Sequence, residues 1–299
     1  MLVASAALAD ERPSVLVLKS SDLTAYTSVI AGFSAEAKVD VREVALPEGA
    51  EAAQNAVKAA SAKKPALVLA IGPSAANAAK KTFADVPVIF TMVPYYEKYA
   101  LEGPNVTGIA LTNDISTELA TLKAVTPKVK RIGILNDPRY SAKLIQDATA
   151  AAQTLGLQIV SLEVDGPGKV DRVLSSAARK IDALLMISDK TVGNAAVVKK
   201  LLSFSTDGAV PMLGLSQSQV KEGALVALSP SYIGVGQQAG RLANRILFEK
   251  VDPGALVVAQ PEVLELSVNL TTAKKVGSDV ALELMHYAAE KSYPLKVME

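Results

Sequence analysis

The sequence contains no cysteine, no tryptophan and a single histidine. Without cysteine, disulfide bonds, thiol nucleophiles, iron–sulfur clusters and cysteine-based zinc sites are excluded. One histidine is too few for a histidine-rich metal site, and it argues against a His-dependent catalytic triad. A metal site or an acid–base enzyme would have to be built from carboxylates and lysines alone, and we expect no metal and no cofactor.

An excess of charge of one sign is also missing, since 31 Lys and Arg residues stand against 30 Asp and Glu residues. Nucleic-acid binders neutralise many phosphates, and polybasic membrane anchors need clustered Lys and Arg. No internal apolar run reaches the roughly 18 residues that a membrane span requires. The sequence thus predicts a soluble protein that does not bind nucleic acid and has no polybasic membrane anchor. Its 299 residues suffice for one large or two medium domains.

The first nine residues are small and apolar and end in Ala7-Leu8-Ala9, the type of site that signal peptidase cleaves. We interpret residues 1–9 as the remnant of a signal peptide, which predicts a mature chain starting at Asp10 and a periplasmic location. The segment lacks a charged start and is short, so an ordinary chain terminus is the alternative.

Short apolar runs alternate with segments of helical period along the chain, a pattern typical of α/β proteins with parallel sheets. Segment 144–155 has the spacing of an amphipathic helix, and Tyr232–Phe248 is predicted to form one helix. The predicted strands are Val15–Leu18, Ala66–Ile71, Val86–Phe90, Arg131–Leu135, Ala183–Ile187, Pro211–Leu213, Leu225–Leu228, a short one at Leu256–Val258 and Val263–Val268.

An internal repeat indicates two halves of one topology. A uniform shift of about 117 positions places Ala66–Leu69 on Ala183–Met186 and Ser74 on Thr191. Chance matching of alanine-rich sequence is the alternative. The repeat predicts two similar Rossmann-like lobes with parallel sheets, one of residues 13–113 plus 232–262 and the other of residues 114–231 plus 263–299. Several chain crossings would form a hinge above a ligand cleft.

Ligands of parallel α/β sheets bind beyond the carboxyl ends of the strands. Ser74 and Thr191 are expected to begin helices at equivalent junctions, to face each other across the cleft and to hold an anionic or polar ligand group. Plain capping is the alternative role for both. Asp189 is expected at the cleft edge, where it would receive a ligand ammonium or pair with Lys190.

Tyrosines are concentrated after the predicted strand that ends at Phe90. Tyr95 and Tyr96 would form a stacking wall there for an aromatic or apolar ligand. A surface cluster covering the edge of the core is the alternative. The complete set of candidate ligand-binding residues is Ser21, Asp22, Gly72, Ser74, Met92, Tyr95, Tyr96, Tyr140, Asp189, Thr191, Ser216 and Tyr232.

Several segments together resemble one known family over about residues 14–277, the ABC-transporter substrate-binding proteins of the tryptophan/tyrosine-binding type. The resemblance implies the type I periplasmic-binding-protein fold. The segments that carry it are Ile71-Gly72-Pro73-Ser74-Ala75, Asn105-Val106-Thr107-Gly108, Lys130-Arg131-Ile132-Gly133, the run Tyr232–Gly240, and Leu266–Lys274.

The resemblance also implies a non-enzymatic, monomeric binding protein that closes on a small ligand by hinge motion and delivers it to an ABC permease and ATPase in the inner membrane. Two positions depart from the family pattern: Ser231 replaces an acidic or amide residue, and Pro94-Tyr95-Tyr96 replaces an Asp-Pro turn. These departures favour the alternative, an uncharged apolar ligand such as a lipid in a shuttle or sensor system. Because the resemblance covers almost the whole chain, an aromatic or apolar amino acid is nevertheless the favoured ligand.

Two other classes fit the sequence less well. A sugar-responsive transcription regulator would need a DNA-reading headpiece before Val15. A Rossmann-type enzyme would need a glycine fingerprint directly after a strand, whereas Ser229-Pro230-Ser231-Tyr232 precedes Gly234.

Overall fold

A computed structural model describes residues 12–94, 96–277 and 280–298. The chain divides into two compact units, the first comprising the chain through Thr112 together with Pro230–Glu262, and the second comprising Asn113–Ser229 together with the chain from Val263 onward. Each unit is an α/β structure, which confirms the predicted fold class. The proposed signal remnant lies outside the described residues. In the described part, no helix is long and apolar enough to cross a membrane.

The first unit begins with alternating strands and helices. Its sheet has the order β2-β1-β3-β4-β5, and all of its pairings are parallel. The elements are β1 (Ser14–Lys19), α1 (Thr24–Glu36), β2 (Asp40–Ala45), α2 (Ala50–Ser61), β3 (Leu67–Ile71), α3 (Pro73–Thr82), β4 (Val88–Thr91) and β5 (Val106–Gly108).

The second unit contains a sheet of order β12-β11-β10-β9-β8-β6-β7. The elements from residue 113 onward are α4 (Ile115–Val125), β6 (Arg131–Asn136), α5 (Pro138–Thr154), β7 (Gln158–Glu163), α6 (Val170–Ala177), β8 (Ala183–Leu185), α7 (Ala195–Asp207), β9 (Met212–Gly214), α8 (Gln217–Lys221), β10 (Val226–Pro230), α9 (Tyr232–Phe248), β11 (Leu264–Asn269), α10 (Leu270–Val276), α11 (Val280–Lys291) and β12 (Leu295–Met298).

Helix α9 packs against α1 of the first unit through backbone contacts at glycine. A Cβ atom added at Gly32 would lie 2.1 Å from the Ile233 carbonyl oxygen, and one added at Gly236 would lie 2.0 Å from the Val29 carbonyl oxygen. Only glycine permits such an approach of two helices. The apolar side chains between them, such as Phe33 and Val235, are fully buried, so α9 completes the core of a unit that the chain left at Thr112.

The two sheets share the order of their first five strands. The register that the sequence repeat predicts is nevertheless wrong for the pairing of β1 with β3 and of β6 with β8. Val15 pairs with Leu67, whereas Ile132 pairs with Ala183 and not with Leu184, which the uniform shift requires. The helices also start differently: α3 follows β3 after Gly72 alone, whereas residues 186–194 separate β8 from α7. The likeness is therefore one of topology, without a single sequence shift.

The predicted strand at Leu256–Val258 is also wrong. Pro253–Ala255 forms a short 3-10 helix, and the following residues are extended but pair only at Ala259, which bridges Ile109. Val257 is 88% exposed. Leu256 and Val258 are partly buried and pack against the core, so the apolar residue types of this run reflect packing and not membership of a sheet.

The acidic side chain of Glu118, in the first turn of α4, is buried in the second unit. Burial raises the pKa of Glu118 to about 8, a hydrogen bond with Asn113 opposes this, and the nearby Asp114 carboxylate adds to it. The acid is therefore mostly neutral at pH 7, which avoids the cost of an isolated buried charge.

We expect Glu118→Gln to stabilise the protein at pH 8 and to be nearly neutral at pH 5. From about pH 4.5 to 8 the folded state keeps a proton that the unfolded state releases, so wild-type stability falls as pH rises through this window, by at most about 4 kcal/mol at 1.36 kcal/mol per pH unit. Urea unfolding at both pH values measures the difference. The exposed Glu163→Gln is the control, and equal effects of the two substitutions at both pH values would contradict the prediction.

Candidate functional site

The carboxyl end of β1 carries a cluster of one cation and two carboxylates. The Lys19 ammonium lies 2.8 Å from an Asp22 carboxylate oxygen and 3.5 Å from one of Glu43. The hydrogen bond with Asp22 is the main cause of the raised pKa of Lys19. Asp22 was predicted to bind ligand, and it does lie at the expected edge, but its charge is already paired.

Gly72 closes the next strand, β3, in a conformation that side chains rarely adopt. Its φ is +91°, and an added Cβ would lie 2.4 Å from the Tyr26 hydroxyl and 2.6 Å from Ser20 Oγ. Its N–H donates to the Thr91 carbonyl oxygen over 2.9 Å. Burial raises the pKa of Tyr26, and a hydrogen bond with Ser21 partly offsets this by lowering the pKa. The loops after β1, β3 and β4 are therefore held together around a residue that must be glycine.

The prediction that Ser74 caps a helix is wrong, because Gly72 occupies the N-cap of α3 and Ser74 is its second residue. The side-chain acceptor comes instead from another loop, since Ser20 Oγ accepts the N–H of Ala75 over 3.0 Å. Ser74 is exposed at the start of α3. Its contact with a ligand stays a prediction.

We expect Gly72→Ala to destabilise the protein more than Gly49→Ala does. Gly49 is the N-cap of α2 at nearly the same φ, +93°, but has no atom within 4 Å of an added Cβ. Gly49→Ala therefore reports backbone strain alone, about 1–3 kcal/mol, whereas Gly72→Ala adds the clash with Tyr26 and Ser20. Urea unfolding measures both, and the double variant Gly72→Ala/Tyr26→Phe should recover part of the difference. Equal losses at the two glycines would refute the steric account.

The aromatic wall predicted after β4 lies only partly within the described residues and stays a prediction. The Tyr96 ring packs on Phe90, with ring centroids 5.4 Å apart, and burial raises the pKa of Tyr96. Tyr96 thus covers the edge of the core, the alternative that the sequence left open. Met92, at φ +57°, is 7% exposed and packs in the core. Tyr95 lies outside the described residues.

The second unit is organised around the carboxylate of Asp189, which follows β8 and is 2% exposed. One of its oxygens accepts the N–H groups of Thr191 and Val192 at 2.7 and 3.1 Å. The other accepts the Asp137 N–H at 3.1 Å and the Ser141 hydroxyl. The expected roles of Asp189, as partner of a ligand ammonium or of Lys190, are therefore not what the geometry shows, because internal donors occupy both oxygens.

A second buried carboxylate, that of Asp137, lies beside the first and caps α5. Arg139 donates to it through Nε and Nη2 at 2.9 and 2.5 Å, and the Thr191 hydroxyl donates at 2.6 Å. The hydrogen bonds from Arg139 hold the pKa of Asp137 far below its usual range. Arg139 also donates to the Asp165 carbonyl oxygen, and so this network joins the loops after β6, β7 and β8.

Thr191 does not begin a helix, contrary to the prediction, because α7 starts at Ala195 with Asn194 as its N-cap. The N–H and hydroxyl of Thr191 are both used to join Asp189 to Asp137. Thr191 is therefore a link within the loops. The prediction that it faces Ser74 stays a prediction.

We expect Asp189→Asn to unfold at a lower urea concentration than wild type. An amide cannot accept four hydrogen bonds in this arrangement, and each donor left unpaired in the interior costs about 1–3 kcal/mol. Asp207→Asn, at an exposed position of α7, is the matched control and should leave the midpoint unchanged. A stable Asp189→Asn variant that only loses ligand affinity would restore the ammonium-binding role.

The remaining candidates are surface or capping residues. Ser216 is the N-cap of the short helix α8. Tyr140, in the first turn of α5, is 41% exposed, and Tyr232, the first residue of α9, is 36% exposed. The described residues contain no group of three or more His, Asp or Glu side chains arranged to hold a metal ion.

The sequence analysis did not identify four residues that hold the loops in place through contacts within each unit, namely Asp137, Ser141, Ser20 and Tyr26. A signal was present for Asp137, because Asp followed by Pro138 is a typical helix start. Ser20 and Tyr26 carried no such signal, since their roles depend on contacts with Gly72, which lies about 50 residues away in the sequence.

Solved structures show which class of fold the two units belong to. A ligand-free, open substrate-binding protein with adhesive properties from Clostridium difficile aligns with a TM-score of 0.78 at 20% identity, over 96% of this chain and 100% of that one. An ABC domain in complex with L-Trp from Streptococcus pneumoniae aligns with a TM-score of 0.63 at 19% identity, over 95% and 100%. The fold is that of periplasmic-binding-protein-like proteins.

Sequence comparison defines the family. The profile of the ABC transporter substrate binding proteins matches residues 32–292, and the chain belongs to that family. A tyrosine-binding protein of Clostridioides difficile (strain R20291) is 28% identical over 217 residues, which are 70% of this chain and 62% of that protein. The chain thus spans less than two thirds of that relative's length.

Proposed function

We propose that this protein is an exported solute-binding protein that captures a small ligand, preferably an aromatic or apolar amino acid, and delivers it to an ABC permease and its ATPase. The observation that carries the proposal is the family match over residues 32–292. Relatives described as binding tyrosine or L-Trp support the ligand class. The Ala7-Leu8-Ala9 sequence supports export to the periplasm.

The chemistry of the loops supports binding over catalysis. A general base needs a carboxylate within hydrogen-bond reach of the substrate proton. Asp137 and Asp189 are buried and saturated by internal donors, so they are poorly placed for proton transfer. They are well suited to hold the surrounding loops in one geometry, which lowers the entropic cost of binding. We further propose that the protein acts as a monomer.

An uncharged apolar ligand such as a lipid is the second candidate. Its support is the commitment of Asp189 to internal hydrogen bonds, together with the exposed rings of Tyr140 and Tyr232. On this alternative the protein would serve a shuttle or a sensor rather than amino-acid uptake.

Calorimetric titration of tryptophan, tyrosine and phenylalanine into protein freed of ligand by partial unfolding and refolding tests the proposal. We expect saturable heat with at least one of the three, because aromatic burial supplies much of the binding energy. Lysine and glutamate, whose side chains are charged, are the controls and should give none. Mass spectrometry of the native protein that finds a lipid, with no heat from any amino acid at high micromolar concentration, would favour the second candidate.

A further inference from the structure

The acidic side chains at the carboxyl ends of β1, β6 and β8 are all committed. Asp22 pairs with Lys19, Asp137 pairs with Arg139, and Asp189 accepts four internal hydrogen bonds. Asp137 and Asp189 are also almost completely buried. At Asp137 or Asp189, a ligand ammonium would have to displace one of these partners, and leaving a buried donor unpaired costs more than the new contact returns. In the part of the chain that the structure describes, the loops after β6 and β8 therefore offer an ammonium no carboxylate, whereas the Asp22 side chain in the first unit is 75% exposed.

Two cations at the second unit's loops differ from each other, because Arg139 is paired with a carboxylate and Lys190, as far as the structure describes the chain, is not. The Arg139 guanidinium is held by both oxygens of Asp137. Lys190 follows Asp189 in sequence and is exposed, and no ion pair joins it to a carboxylate within the described residues. Its ammonium nitrogen lies 5.6 Å from the centre of the Tyr140 ring, and Arg139 Cζ lies at the same distance from that centre.

Tyr140 and Lys190 thus form a mixed surface at the loops after β6 and β8. The Tyr140 residue is 41% exposed, and both the Lys190 ammonium and the Arg139 guanidinium lie over its ring. The Lys190 ammonium is a donor for an anionic group. The internal network fixes both residues, because Asp189 immediately precedes Lys190 and Ser141 immediately follows Tyr140. A ligand made of an aromatic ring with a carboxylate on a short chain matches this surface. Its carboxylate would pair with the Lys190 ammonium, and its ring would contact the exposed part of Tyr140.

From this arrangement we propose that Lys190 binds the ligand carboxylate beside Tyr140, so that the site recognises arylalkanoates as a class and does not require an α-ammonium group. This rests on the proposed function and narrows its ligand class. Lys190 is then the residue that determines specificity, and Asp189 positions it. Carboxylate capture by a lysine is a charge-assisted hydrogen bond, which is stronger than a neutral one.

Titration with three matched ligands tests the proposal: L-tyrosine, 3-(4-hydroxyphenyl)propionate, which lacks the ammonium, and tyramine, which lacks the carboxylate. The phenylalanine and tryptophan series are run in the same way. We expect the amino acid and the arylpropionate of the best series to bind within about threefold of each other and the amine not to bind. Binding of the amine but not of the arylpropionate would overturn the proposal while leaving the proposed function intact.

Substitution of Lys190 supplies the second readout. Lys190→Met should weaken carboxylate binding roughly 10- to 100-fold, the scale of one charge-assisted hydrogen bond, whereas Lys190→Arg should retain most of it. Lys199→Met, at an exposed lysine of α7, is the control. Because Lys190 is exposed, all three variants should keep the wild-type unfolding midpoint. Unchanged affinity in Lys190→Met would refute the proposal, and failure of every aromatic ligand with the wild-type protein would refute it together with the proposed function.

Discussion

The carboxylate of Asp189 is the constraint on which the second unit's candidate site depends. Four donors from two parts of the chain converge on it: two backbone N–H groups of its own loop, and the N–H of Asp137 and the hydroxyl of Ser141 at the start of α5. Each donor would need water if the carboxylate were absent, but the position is closed to solvent. One charge therefore fixes the start of α5 relative to the end of β8, and with it the surface formed by Tyr140 and Lys190.

The first unit meets the same requirement with different chemistry. Its loops after β1, β3 and β4 meet at Gly72, where hydrogen bonds from uncharged groups and close contact with Tyr26 and Ser20 replace the buried carboxylate. Two sheets with the same strand order can thus arrange their carboxyl ends by charge or by close packing. Ser74 and Thr191 consequently occupy different local environments, although a uniform shift of the sequence makes them equivalent.

The buried strands and the long helix α9 could be predicted because their signals are local. Runs such as Leu67–Ile71 are apolar throughout, and α9 begins and ends at the predicted residues. Strands β2 and β7 lie beside β1 and β6 and are only partly buried, so their polar residues hid them. The roles of Asp189 and Gly72 could not be predicted, because each depends on partners brought together from separate parts of the chain.

The glycine contact between α1 and α9 has a consequence for how the chain folds. More than 190 residues separate Gly32 from Gly236, and the whole first part of the second unit lies between them. During synthesis the first sheet is therefore complete long before the helix that covers one of its faces, with Val29 and Phe33 left facing water. Contacts of such long sequence separation are slow to form. The face of α1 that carries Gly32 therefore lacks its packing partner until residue 248 has been made.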